Sequence, residues 1–389
     1  MANRRIYLDW NATAPLLPAA REAVLAALDQ GGNPSSVHRE GRAARALIEN
    51  ARRDVALLAG AEAGDVVFTS GATEATSLAL TPDYRMGRTP LAIGHLYVSA
   101  IEHPAVREGG RFSAGRVSEI PVTPAGIVDL DALSAMLDAH DAALGLPMVA
   151  VMLANNETGI VQPVAEVAAR VKTRGGLLVV DAVQAAGRMA LSVGDLGADF
   201  LIVSSHKIGG PKGAGALIAR GSALMPAPVI RGGGQERGHR SGTENGPAIA
   251  GFAAAARACR EMLDQGVPEA VRALRDRLEA GMRAIASDVV FHGEGAERIG
   301  NTCFFSLPGL KAETGQIAFD LEGIALSAGS ACASGKVGRS HVLTAMGCDP
   351  RLGALRISLG PATRAEDIDG ALLAFSRVAA RRRAAEIAA

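Results

Sequence analysis

Through the first two-thirds of the chain, short apolar runs alternate with segments in which apolar residues return every three to four positions. Residues 66–70 (VVFTS), 149–153, 177–180 and 200–204 have the length and β-branched content of buried strands. The segment 43–58 carries Leu47, Ile48, Ala51, Val55 and Leu58 on one helical face and stops at Gly60. Pro163 opens VAEVAARVKTR, which closes at Gly175; proline at a helix start and glycine past its end are the expected punctuation. Strand, helix and strand at this spacing predict βαβ units, an α/β fold with a mostly parallel central sheet.

Beyond residue 255 the pattern changes to two long Arg/Glu-rich helices around Gly266-Val-Pro, then strand candidates at 289–291, 302–307 and 355–359. Thr363 and Glu366 form a Thr-x-x-Glu capping box before the last helix. The expected organisation is a large domain over 15–255 and a small α+β domain from 1–14 with 256–389. A chain of 389 residues suits two domains, because single cores tend to split beyond about 250–300 residues.

Forty basic and forty acidic residues cancel, which leaves no field to favour nucleic acid. The four cysteines, Cys259, Cys303, Cys332 and Cys348, form no CxxC pair and no zinc or disulfide spacing. The N-terminus has no apolar leader, and no apolar run reaches the roughly 18 residues of a membrane span. The expectation is a reduced, cytoplasmic setting without membrane attachment.

Candidate chemistry gathers where the predicted strands end, the side on which open parallel sheets collect ligands. Only five lysines occur: Lys172, Lys207, Lys212, Lys311 and Lys336. Lys207 directly follows a buried strand, beside His206 and before GGPKGAGA, where partial desolvation frees an amine for imine chemistry. Asp181 ends another strand, where a carboxylate needs a partner; a helix N-cap accounts for it equally well. Gly71-Ala72-Thr73 opens a helix after a strand, an anion-binding arrangement that is weak evidence alone.

The segments YLDWNATAP, NPSSVHREGRAA, FTSGATEAT, IEHPAV, NNETGIVQP, DAVQAAG, SSHKIGGPKG, GGGQERGHRSGTEN and SAGSACASG resemble, in order, the motifs of NifS/IscS-type cysteine desulfurases. Those enzymes belong to the class V branch of the fold-type I pyridoxal-phosphate proteins, and the resemblance spans residues 7–359. It implies pyridoxal 5'-phosphate as cofactor, L-cysteine as substrate and L-alanine as product. Lys207 would form the imine, Asp181 would pair with the pyridine nitrogen, and His103 would stack on the ring. Asn155 and Gln184 would contact ring substituents. Ala72, Thr73, Ser204 and His206 would hold the phosphate, with Thr243 reaching it from the other subunit of a homodimer.

The resemblance further makes Cys332, in the small-domain loop, the thiol that receives sulfur as a persulfide. By itself, a cysteine among small residues reads as structural. Arg356, in ALRISLG, would grip the substrate carboxylate in a bidentate fork, aided by Asn155. No metal site of its own is implied, although Cys332 is available to ligate transiently an iron–sulfur cluster shared with a partner. The sulfur acceptor would be an Fe–S scaffold protein, nitrogenase assembly or tRNA thiolation. The sequence departs from the pattern at Trp10, where many relatives carry asparagine, at Ala14, and at Pro361, where an arginine is common. Rival readings are a selenocysteine lyase, another class V aminotransferase, and a non-enzymatic scaffold for Fe–S assembly; retention of Lys207, Asp181 and Cys332 opposes the last.

Overall fold

Val, Ile and Leu in runs of four to seven residues form strands buried on both faces, and these build the centre of the molecule. The computed structural model of the protein describes residues 5–329, 339–349 and 352–388. In chain order the strands are β1 (Ile6–Tyr7), β2 (Val66–Thr69), β3 (Asp83–Met86), β4 (Thr89–Ser99), β5 (Val117–Ile120), β6 (Leu146–Met152), β7 (Leu177–Asp181) and β8 (Phe200–Ser204). There follow β9 (Gly215–Ala219), β10 (Leu224–Pro226), β11 (Val290–Phe291), β12 (Thr302–Ser306), β13 (Ile324–Ala325), β14 (Ser327–Ala328) and β15 (Ala354–Ser358).

Nine of them make one sheet in the order β10-β3-β4-β6-β7-β8-β9-β2, with β5 also beside β4. The centre, β5, β4, β6, β7 and β8, is parallel, as the sequence pattern predicts. The edges are antiparallel. Because β9 reverses between β8 and β2, β2 runs in the same direction as the parallel centre.

Alternation along the strands feeds two cores. Val149 and Val151 of β6 and Leu201 and Val203 of β8 face one core, with the helices Arg39–Leu58, Val164–Lys172 and Gly246–Asp264. Met148 and Ala150, Phe200 and Ile202 face another, with the helix Ala72–Ala79. A separate apolar cluster lies under a four-stranded antiparallel sheet ordered β11-β12-β15-β14, around Phe305, Phe319, Phe375, Leu278 and Met282. Leu8 joins this cluster, and β1 pairs with β13.

Two expectations shift in detail. The helix Gly246–Asp264 keeps Phe252 and Cys259 in the large-sheet core, whereas Val271 and Leu278 of the helix Val267–Ile285 enter the small-sheet core. The change of core therefore falls at Gly266, which is left-handed at φ 71°, and not at residue 255. The capping box at Thr363 is replaced by another device: Thr363 Oγ1 accepts from Gly360 N at 3.0 Å, while Asp367 Oδ2 accepts from Arg364 N at 2.9 Å. One residue of offset moves the acidic partner from Glu366 to Asp367. Among the described residues, no helix is long and apolar enough to cross a membrane.

Candidate active site

With β2, β4, β6, β7 and β8 running one way, the loops after them open at a single edge, where a cavity of about 660 Å³ lies. That volume is within the range of small-molecule and cofactor sites, about 300–1,000 Å³. Ala72 and Thr73 enter it after β2, His103 after β4, Asp181 and Gln184 at the end of β7, and Ser204, His206 and Lys207 at the end of β8. The strand order brings residues more than a hundred positions apart in sequence (His103 and Lys207 among them) to one wall.

The helix Ala72–Ala79 starts at Gly71, which supplies no side-chain cap, so its first N–H groups face the cavity. Glu74 in its first turn is neutralised by Arg240, with Nε 2.9 Å from Glu74 Oε1. Lys212 and His206 add positive or hydrogen-bonding character on the same side. Lys207 Nζ donates to Asn11 O at 2.6 Å and Ala12 O at 3.0 Å, fixing the amine at the floor. Asp181 Oδ1 accepts from Val183 N at 2.9 Å.

Burial pushes the Asp181 carboxyl up to about 6, against the opposing pull of the Val183 N–H and Lys207. Burial, then the Lys207 charge, brings the His103 imidazole down to about 4, so its ring is neutral near pH 7. His206 falls to about 4 for the same reasons, with Lys212 adding to them. Behind this wall Glu102 is fully buried: Oε1 accepts from Met152 N at 2.7 Å, and Oε2 has no hydrogen-bond partner among the described residues.

The opposite wall comes from the small sheet and the N-terminal segment. Arg356 on β15 points into the cavity and is 3% exposed, which in itself demands a counter-charge. It donates through Nη2 to Asp9 Oδ1 at 2.9 Å and through Nη1 to Asn156 O at 2.8 Å; its Nε has no partner among the described residues. Asp9 also accepts from Ser327 Oγ at 2.8 Å. Asn11 joins the two walls. Its carbonyl takes Lys207 Nζ and Gln184 Nε2, while its amide bonds Thr302 Oγ1 and Asn301.

Asn155 requires a correction. It does not line the cavity: its Nδ2 goes to Ile101 O, and its Oδ1 accepts from the N–H groups of Glu157 and Thr158. The amide is spent on shaping the turn after β6. Its neighbour Asn156 lines the cavity, with a buried Oδ1 that has no partner among the described residues. Doubled asparagines in NNETG gave no local signal for which of the two faces inward. Thr243 is exposed and lies outside this cavity in its own chain. Cys332 lies outside the described residues. Of the other cysteines, Cys259 and Cys303 are buried, and Cys348 is half-buried, with Sγ 3.9 Å from His292 Nδ1. Asn11, Asn156, Lys212 and Ser327 were not singled out from sequence, although all sit in or beside the quoted motifs.

The donor set suits pyridoxal phosphate. An open helix N-terminus with basic neighbours matches a phosphate, a buried carboxyl matches a protonated ring nitrogen, and the orphaned amide of Asn156 awaits a polar group. Trp10, Ala14 and Pro361 all border a second, smaller cavity of about 60 Å³ that Lys207 also lines. The Trp10 ring lies against Gly360, where a Cβ would overlap it at 2.0 Å. Among the described residues, no group of three or more His, Cys, Asp or Glu could hold a metal ion.

Residues 6–370 match the family described as Aminotransferase class-V. The chain is 40% identical over 377 residues to a cysteine desulfurase of Cereibacter sphaeroides, covering 94% of this chain and 93% of that one. It is 37% identical over 393 residues to an IscS-like cysteine desulfurase of Mycobacterium tuberculosis, covering 98% of each. The X-ray structure of a NifS-like protein from Rickettsia africae superposes with a TM-score of 0.86 at 32% identity, over 96% of this chain and 99% of that chain.

Proposed function

The chain belongs to the class-V aminotransferase family, and we propose that its large cavity binds pyridoxal 5'-phosphate and that the protein desulfurates L-cysteine to L-alanine. The observation that carries this reading is the meeting of Lys207 and Asp181, from neighbouring strand ends, with Arg356 across one cavity. Full-length similarity to proteins named cysteine desulfurase supports the reaction.

Lys207 would hold the cofactor, with Asp181 at its ring nitrogen, His103 against its ring and Gln184 at its edge. The N-terminus at Ala72 and Thr73, with Ser204 and His206, would take the phosphate, and Thr243 of a second subunit would complete it in a homodimer. When bound, the cofactor supplies an electron sink next to the substrate Cα. The neutral His103 ring can lie against an aromatic face without adding a competing charge.

Arg356, held by Asp9 and Asn156 O, fixes the substrate carboxylate. The Lys207 amine takes the Cα proton. Cys332 thiolate then forms a bond to the substrate sulfur as the Cβ–S bond breaks; the electron pair left on Cβ takes up a proton and Lys207 returns a proton to Cα, giving alanine and a Cys332 persulfide. From there the sulfur would pass to an acceptor such as an Fe–S scaffold protein.

The test separates the two halves. Cys332→Ser should keep the cofactor absorbance and lose sulfide and alanine production from cysteine. Undiminished desulfuration by this variant, or keto-acid formation in place of alanine, would overturn the reading.

A further inference from the structure

Glu157 is a carboxylate that the reaction outlined above does not use. It follows Asn156 in the turn after β6 and is 2% exposed. Its Oε2 accepts from Ser340 Oγ at 2.6 Å. Ser340 is the N-cap of the helix His341–Ala345, accepting from Leu343 N at 3.1 Å, and stands just beyond the segment that contains Cys332. On the other side of the same segment, Gly329 packs close to the Phe304 ring, with the Glu157 carboxylate nearby. Gly329 is itself tied to β15 through its N–H to Ala354 O at 3.0 Å. A second tie holds the downstream flank, with His341 Nε2 2.9 Å from Glu102 O, next to His103.

The backbone of this turn is equally committed. Arg356 donates to Asn156 O at 2.8 Å, one residue before Glu157. A single dipeptide thus braces the arginine through its carbonyl and the downstream flank of the cysteine segment through its side chain. Burial raises the Glu157 carboxyl to about 7, while Ser340 and Arg356 pull it down. A buried carboxyl of this kind is retained at a cost to stability, and the hydrogen bond to Ser340 is what it provides in return.

We propose that Glu157 is a positioning residue for sulfur transfer: it fastens the Ser340 flank of the Cys332 segment to the turn that braces Arg356. The inference rests on the desulfurase reading. Its effect falls on delivery of the thiol to substrate sulfur, not on holding the cofactor or the amino acid. Loss of the tether leaves the chemical groups in place but misplaces one of them, and small misplacements of reacting groups cost as much as about a hundredfold.

The experiment is single-turnover transfer of sulfur from L-cysteine to Cys332, read as persulfide by alkylation and mass spectrometry of the cofactor-loaded enzyme. Glu157→Ala and Ser340→Ala should slow it by on the order of tenfold to a hundredfold. Cofactor absorbance and the affinity for L-cysteine, titrated spectrally, should stay at native values. Ser340→Thr and Glu157→Gln keep the hydroxyl and its acceptor, and should restore most of the rate. Native transfer rates in both alanine variants, with an active parent enzyme, overturn the tether alone. A fall in cysteine affinity that matches the fall in rate overturns it too. Absence of persulfide in the unsubstituted enzyme overturns the desulfurase reading and the tether together.

Discussion

The two walls of the cavity are built in different ways. On the large-sheet wall, each functional side chain leaves the carboxyl end of a strand, and the strand order alone sets its place. On the facing wall, Arg356 sits mid-strand on β15 and depends on Asp9, 347 positions away in sequence, and on the carbonyl of Asn156. The first wall holds its groups by backbone geometry, and the second holds its groups by side-chain pairing. The first should therefore respond to substitution by losing chemistry, the second by losing orientation.

The largest effect should come from the first wall. Lys207→Ala removes the amine and should lower the rate of alanine formation by at least roughly 10²–10⁴-fold, the scale of a lost acid–base group. Cofactor absorbance should go with it. Retention of both would erase the distinction between the walls.

This contrast also explains what could be read in the sequence. Lys207 and Asp181 were legible because a charged residue closing an apolar run is a local event, visible within a few positions. The parallel centre of the sheet followed from the same runs. The antiparallel return of β9, the partnership of Asp9 with Arg356 and the bridging role of Asn11 were not legible, because each joins segments far apart in the chain. Asn155 and Asn156 show a finer limit. Adjacent identical residues differ only in which way the turn points them, and the turn is set by bonds to Ile101 and Thr158. Cys332 and Thr243 were named only through resemblance, since neither stands at the end of an apolar run.

The second wall makes a different prediction. Asp9→Asn leaves the shape of the pair but removes the charge that orients Arg356. Hydrogen bonds to charged groups are worth about 1.5–3 kcal/mol, so KM for L-cysteine should rise by roughly ten- to a hundredfold. The kcat should change much less, because Lys207 and Asp181 are untouched. An equal fall in kcat with KM unchanged would show that Asp9 acts on the chemistry itself.

Stability against pH offers a smaller signal, and it belongs to the first wall. In the cofactor-free protein Asp181 titrates at about 6, above its ordinary value, chiefly because it is buried. A raised carboxyl means that the folded state holds a proton that the unfolded state has already released. Its contribution to stability is complete below the unfolded pKa of about 3.9 and is lost as pH rises through the folded value. Asp181→Asn removes that loss. Relative to the parent, the cofactor-free variant should gain on the order of 2 kcal/mol between about pH 4 and about pH 8, read from urea midpoints. A difference independent of pH would mean that the buried carboxyl carries no such penalty.

The smallest effect is expected behind the first wall, at Trp10. This residue departs from the family pattern, yet it borders the 60 Å³ cavity and does not line the large one. Its ring fills space against Gly360, and Pro361, a second departure, lines the same small cavity. Trp10→Phe should enlarge that cavity and cost about 1–2 kcal/mol of stability, as partial truncations in cores do. Cofactor absorbance, kcat and KM for cysteine should be unchanged, since Lys207 is held from Asn11 and Ala12 by backbone carbonyls that the substitution leaves in place. A changed kcat with an intact melting temperature would show that the indole steers Lys207 directly, and the large-sheet wall would then owe its geometry to more than strand order.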